Sequence, residues 1–306
     1  MPDNLAMPPE GGSPSGSNNA TGSNDSGLGS SAAGKPGPSN LTLRIVSGAV
    51  LAAVAFFLAY SGPVPFGILI LACSLVMSWE WSRLVRGTGF DLGFYIQAAA
   101  IVLAVALAAF GYAAPAFAVL CIAAIILVPL YLGHNAGLSG LGVIYVGLPA
   151  VALLWLRGDE PFGFSAILFV FAVVWSSDTG AYAAGRTIGG PKLWPKVSPK
   201  KTWAGFIGAL VAGAVVGIIF SMLEPGTDAL RLVLLGVGLA FVSQAGDLAE
   251  SALKRHFNRK DASDLIPGHG GFMDRMDSIV AAASVAGLLA LAVDAHAPAR
   301  ALLFGP

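Results

Sequence analysis

From Leu41 onward the chain alternates long apolar runs with short polar or Gly- and Pro-containing breaks. The runs are about 17–25 residues long, which as helix is the length needed to cross ~30 Å of hydrocarbon. Nine spans are predicted, at 43–60, 64–79, 94–112, 114–132, 138–156, 162–183, 202–222, 229–253 and 278–295. Only Ser61-Gly62-Pro63 separates the first two, which predicts a helical hairpin there. The expected fold class is therefore all-α: a polytopic membrane protein of about nine transmembrane helices. Residues 1–40, built from Gly, Ser, Asn and Pro, break this pattern. They hold too little apolar area to offset the entropy of ordering and are expected to form a disordered tail. No apolar h-region follows a basic n-region, so a cleavable signal peptide is not expected.

Composition agrees with the pattern. The 306 residues are 56% hydrophobic and 11% charged, with mean hydropathy +0.75, outside the range of a soluble domain. Net charge is zero, so nothing draws the chain to nucleic acid, and none is expected as partner. Position matters more than balance. Arg186, Lys192, Lys196, Lys200 and Lys201 lie at or between the sixth and seventh spans. Lys254, Arg255, Arg259, Lys260 and Arg275 lie between the eighth and ninth, and Arg83 and Arg86 follow the second. With nine spans all three places fall on one side, and the positive-inside rule makes that side cytosolic. The expected setting is the cytoplasmic (inner) membrane, multi-pass, with the N-terminus and two charged loops in the cytosol. Cys73 and Cys121 both sit in apolar runs and read as packing residues.

Ser243 to Ser278 concentrates charge between two membrane-grade segments. A centrally placed Asp or Lys costs about 2.5–3.5 kcal/mol on the mildest insertion scale, so such a cluster points to function. On a continuing helix Gln244, Asp247, Ser251, Lys254 and Arg255 share a face, with Glu250 beside Asp247. A break is predicted near Phe257, since Pro267 and Gly268, Gly270 and Gly271 follow. Asp274 and Asp277 then stand where the next helix begins, and simple capping would account for that pair. Together with Asp247 they supply carboxylates suited to Mg²⁺ and a polyphosphate, because Mg²⁺ takes one or two carboxylates plus substrate phosphates. No His/Cys spacing for zinc is present.

A second region, Trp175 to Gly208, sets Asp178, Tyr182 and Arg186 at i, i+4 and i+8 in an apolar helix. Asp178 could serve a site or pair with an arginine. Ser198-Pro199-Lys200-Lys201-Thr202 directly precedes a span, where a helix N-terminus, hydroxyls and two lysines can bind an anion. The alternative is that the lysines set topology and touch anionic headgroups. Gly185 to Lys192 is not a P-loop, since Pro191 occupies the lysine position and no strand precedes it.

Both regions resemble the phosphatidate cytidylyltransferases, or CDP-diacylglycerol synthases. The match is carried by Ser251-Ala-Leu-Lys254-Arg255, Lys260-Asp261, Pro267-Gly268-His269-Gly270-Gly271 and Asp274-Arg275-Met276-Asp277. It continues in Asp178-Thr179-Gly180-Ala181-Tyr182, Gly185-Arg186 and Ser198 to Thr202, and covers about residues 170–295. Ala204 departs from the polar or acidic residue that many relatives carry there. The resemblance implies transfer of a cytidylyl group from CTP to phosphatidate with release of pyrophosphate, Mg²⁺ being held by Asp247 and Asp274. It further implies catalytic roles for Asp247, Asp274, Asp277, Lys254 and Arg255. Substrate contacts are implied for Ser198, Lys200, Lys201, Thr202, Ser251, Lys260, His269, Arg275, Asp178 and Tyr182, with loop ordering as the other reading of His269. The chain then divides into a tail at 1–40, N-terminal transmembrane helices at 41–160, a catalytic transmembrane region at 161–297 and a short tail at 298–306. Two other functions fit parts of the pattern: a CTP-dependent lipid or polyprenol kinase, and an ion-coupled secondary transporter. Gly213 and Gly217 form a small-xxx-small pair, read first as helix packing and second as a homodimer seam.

Overall fold

The computed structural model describes residues 53–133, 135–265 and 270–306. The N-terminal tail, most of the first predicted span and His269 lie outside the described residues.

Residues 53–60 are helical and turn through Ser61 and Gly62 (φ 123°) into α1, Pro63–Arg86, whose proline stands in the first turn where its missing N–H is no loss. Next come α2, Leu92–Ala109; α3, Ala113–Leu130; α4, Ala136–Arg157; and α5, Gly163–Thr187. A short hairpin, β1 Lys192–Trp194 and β2 Ser198–Thr202, leads into α6, Trp203–Leu223. Helices α7, Ala229–His256; α8, Met273–Val293; and α9, Pro298–Phe304 complete the described chain. Eight of these, α1 to α8, are long and apolar enough to cross a membrane, matching the second to ninth predicted spans. The chain is a multi-pass membrane protein.

Helix starts follow local chemistry. Asp91, Thr202 and Asp228 each accept a backbone N–H three residues on, from Phe94, Gly205 and Arg231 respectively. Two features differ from expectation. Helix α1 runs on to Arg86 rather than stopping at 79, because Glu80, Trp81, Ser82, Leu84 and Val85 are buried against neighbouring helices. The basic loop before α6 contains antiparallel strands, paired Lys192 to Thr202 and Trp194 to Ser198. Gly189 and Gly190, at φ 68° and 88°, let the chain leave α5 in a backbone geometry that side chains resist.

Helix α4 is the most enclosed of the spans. Between membrane helices no solvent drives association, so small residues and close backbones must supply the attraction. A Cβ on Gly140 would lie 2.7 Å from the Ala124 carbonyl of α3. The same approach joins α5 to α6, where a Cβ on Gly180 would come within 2.7 Å of the Gly208 oxygen. Gly213 and Gly217 face Gly236 and Leu232 of α7, so this pair is used for packing within one chain.

Candidate active site

The charged ends of α1, α5, α6, α7 and α8 meet at one end of the bundle. Helix α7 carries the central row. Its Asp247 accepts an ion pair from Lys201 of β2, Nζ to Oδ2 2.8 Å, and a hydrogen bond from Ser251 Oγ at 3.3 Å. Lys201 also approaches the carbonyl and side-chain oxygens of Gln244, each at 3.4 Å. Gln244 Nε2 in turn donates to Asp178 Oδ1 at 3.0 Å. The two sequence regions are thus joined through Asp178, Gln244, Lys201 and Asp247. Asp178 is bonded by a buried glutamine, and by Ser278 at the start of α8, rather than by an arginine.

These groups line an open cavity of about 530 Å³. Lys200, Lys201 and Thr202 form one wall, Asp178, Tyr182 and Arg186 another, and Gln244 and Asp247 the third. Thr202 is buried and spends its hydroxyl on the α6 N-cap, 3.1 Å from Gly205 N. Ser198 is half-buried in β2, and Arg186 donates to the exposed Tyr182 hydroxyl at 2.6 Å.

One to two turns along α7 lies a drier network. Lys254 Nζ bridges Glu250 Oε1 at 3.2 Å and Asp274 Oδ1 at 2.5 Å. The three side chains keep 9%, 0% and 9% of their exposure, so each charge depends on the others for solvation. Tyr145 of α4 donates to Glu250 Oε2 at 2.7 Å. The other Asp274 oxygen accepts Ala262 N at 2.9 Å and Gly271 N at 2.8 Å. Asp274 therefore orders the loop before α8 as well as facing Lys254. Asp277, buried one turn on, is near enough to Glu250 and Asp247 to feel the charge of both.

Other expected residues lie at the exposed surface. Helix α7 ends at His256 with Phe257 as C-cap, where the break was predicted. Arg255 is exposed and donates to the Arg259 carbonyl at 3.2 Å. Lys260 and Arg275 are exposed.

The sequence reading missed Glu80 and Tyr145, both from the half of the chain that had looked only generically apolar. Glu80, fully buried in α1, accepts Phe272 N at 2.8 Å, Met273 N at 2.5 Å and the Ser263 hydroxyl. It neutralises the N-terminus of α8 from another helix, since Phe272 offers no side-chain cap. The available signal was a carboxylate close to the end of an apolar run, which membrane segments rarely tolerate without a role.

A profile of the Cytidylyltransferase family matches residues 42–292. The chain is 41% identical over 255 residues to a phosphatidate cytidylyltransferase of Brucella suis biovar 1 (strain 1330), covering 81% of this chain and 92% of that protein. Against the protein of that name from Bacillus subtilis (strain 168), identity is 32% over 249 residues, 78% of this chain and 93% of the relative. With residues of both regions lining one cavity and this similarity running through nearly all the spans, the chain belongs to the cytidylyltransferase family.

Proposed function

We infer that this chain transfers a cytidylyl group from CTP to phosphatidate, giving CDP-diacylglycerol and pyrophosphate. The observation that carries the reading is the cavity in which Lys200 and Lys201 of one motif face Asp247 of the other. It offers cationic and anionic groups together at the end of a membrane bundle, as a nucleotide and a lipid phosphate require.

A phosphatidate phosphate is already an anionic nucleophile, so the reaction needs no side-chain base. A phosphatidate oxygen bonds to the α-phosphorus of CTP, and the bond to the β-phosphate oxygen breaks to release pyrophosphate. The protein must hold two polyanions together and neutralise charge as it redistributes. Lys200 and Lys201 would bind phosphate from the hairpin side, and Ser251 would donate to a phosphate oxygen from α7. Asp178 and Gln244 fix Lys201 from below through their hydrogen bonds. Lys254 is held by Glu250 and Asp274 with its position set in three dimensions. Arg255, Lys260 and Arg275, on the exposed rim, would steer the nucleotide inward. Tyr182 and Ser198 would border the substrate.

Both Asp247 and Asp274 hold a cationic partner, so each carboxylate is placed to receive positive charge. Among the described residues no three His, Cys, Asp or Glu side chains gather tightly enough to hold an ion alone. That suits Mg²⁺, which completes its shell with phosphate and water. Asp247 and Asp274 would hold the ion, with Asp277 beside them, and it would supply charge neutralisation on the CTP phosphates.

The cytosolic face of the cytoplasmic membrane is the setting that the basic residues support. The ion pair of Lys201 with Asp247 and the bonds of Glu80 to the start of α8 bring three of the basic segments to the same end. The test is purified protein with phosphatidate, CTP labelled at the α-phosphate and Mg²⁺. Label in the lipid with stoichiometric pyrophosphate is expected; CDP with a newly phosphorylated lipid would overturn the reading in favour of a kinase.

A further inference from the structure

The hairpin between α5 and α6 presents a second surface that the cavity does not use. Its two strands connect the end of one membrane helix, Thr187, to the start of another, Trp203, so it must lie close to the bilayer surface. Trp194 is 51% exposed, Trp203 50% and Ile188 75%. Lys192 and Lys196 are exposed and their ammonium groups have no hydrogen-bond or ion-pair partner among the described residues. Between Asp178 and Glu224 the chain contains no acidic residue at all, while five cations fall in the same interval. Of these, Lys201 is paired with Asp247, and Arg186 donates to the Tyr182 hydroxyl. Lys200 lines the cavity, and the remaining two, Lys192 and Lys196, form a positive patch beside large apolar rings that no described side chain compensates. That combination matches a membrane interface, where tryptophan sits at headgroup depth and each lysine near an anionic surface gains about 1 kcal/mol.

We propose that Lys192, Lys196 and Trp194 form a docking surface for the anionic headgroups of the surrounding bilayer, separate from the substrate cavity. The residues alternate along β1: Lys192 and Trp194 are exposed, while Leu193 between them turns inward and lines the cavity. One short strand therefore has a lipid face and a site face. Docking the outer face on anionic lipid holds the cavity mouth at the level where a lipid phosphate arrives.

The experiment places the full-length protein in vesicles of phosphatidylcholine with 30 mol% phosphatidylglycerol, with bromine on the acyl chains of one lipid or the other. The contribution of Trp194 is the difference in fluorescence between the wild type and Trp194→Phe. Bromine on phosphatidylglycerol is expected to quench Trp194 at least about twofold more, per mole of lipid, than bromine on phosphatidylcholine. Lys192→Gln/Lys196→Gln should abolish that preference, as should raising salt from 0.05 to 0.5 M, which shortens the screening length. Equal quenching by the two lipids would leave only apolar anchoring and overturn the proposal. Absence of quenching would overturn it by placing the hairpin away from the bilayer. If Trp194→Phe fails to fold, a fluorophore on the exposed Pro195→Cys, with Cys73 and Cys121 replaced and both lysines kept, reports the same preference. In detergent the double lysine variant should keep the KM for CTP; a raised KM would instead make these lysines nucleotide contacts and overturn the assignment. Cytidylyl transfer in detergent does not depend on the docking surface, so failure of either reading shows separately.

Discussion

Glu80 offers the sharpest test of how the N-terminal helices serve the site. Its carboxylate, with no exposed surface, accepts two backbone N–H groups at the start of α8 and the Ser263 hydroxyl. Glu80→Ala removes all three acceptor interactions and leaves Met273 N–H, on a fully buried residue, without its partner. Hydrogen bonds to a charged group are worth about 1.5–3 kcal/mol each and do not add fully, and breaking a buried charged set costs about 3–5 kcal/mol. At 1.4 kcal/mol per decade, 3–5 kcal/mol is about two to three and a half decades in the population of the docked loop. The loop and the first turn of α8 carry Asp274 and Asp277, so the loss should appear in kcat. Because the docked state has some stability in reserve, turnover is expected to fall between about tenfold and a thousandfold. Glu80→Gln keeps one acceptor oxygen, so only one of the two backbone donors, which bond different carboxylate oxygens, retains its partner. It gives up the charge and one backbone bond but keeps the other in the weaker neutral form, charge-assisted bonds being about twice as strong as neutral ones. Its turnover should stay within about tenfold of wild type. The assay is label transfer from CTP into lipid at saturating substrates, with thermal unfolding followed on the same samples. Wild-type kcat from a folded Glu80→Ala protein would refute the reasoning, and so would equal losses from Ala and Gln.

Four further outcomes are expected. Asp247→Asn keeps shape but removes the charge, and should lower activity by at least two orders of magnitude with unchanged extraction and melting, since lost charge stabilisation at a phosphoryl centre typically costs several kcal/mol; near wild-type turnover at low Mg²⁺ would exclude Asp247 as an ion ligand. Lys254→Met strands the buried Glu250 and Asp274 and should destabilise by about 3–5 kcal/mol, whereas adding Glu250→Gln to it should restore part of the melting temperature; no recovery in that double variant would show the pair is not coupled. Cysteine at Lys196 should react with an impermeant thiol reagent only in inverted vesicles and cysteine at Gly226 only in intact cells, Cys73 and Cys121 having been replaced; the reverse pattern would invert the topology. Burial alone would raise the Asp91 carboxyl, but hydrogen bonds from Arg86, Tyr131 and Phe94 N–H and the Arg86 charge hold it below its usual value. Its stabilisation is therefore present above the unfolded pKa of about 3.9 and is lost as pH falls through the lower folded value. Asp91→Asn should flatten the acid limb of a melting-temperature profile in that window, and an unchanged profile would refute the assignment.

The sequence by itself determined the membrane architecture, because hydrocarbon thickness fixes a helix length that shows directly in apolar runs. It also marked Asp247, Asp274 and Lys201, because a charge flanked by such runs is too costly to keep unless it serves a site or a partner. The end of α7 at Phe257 was equally legible, since the Gly- and Pro-rich segment after it cannot continue a helix. The pairing of those charges was not legible. Lys201 meets Asp247 across 46 residues, and Lys254 meets Asp274 across the break, only because α6, α7 and α8 pack through close glycine and alanine contacts. The hairpin escaped notice because strands of three and five residues leave too short a periodicity to read. Glu80 and Tyr145 could not be placed from the sequence at all. Each lies more than a hundred residues from its partner, and a lone polar residue in an apolar run does not say which helix it faces. That choice belongs to the tertiary structure: an acid in α1 finds the unpaired N–H groups of α8 only after α4 has drawn the two halves of the bundle together.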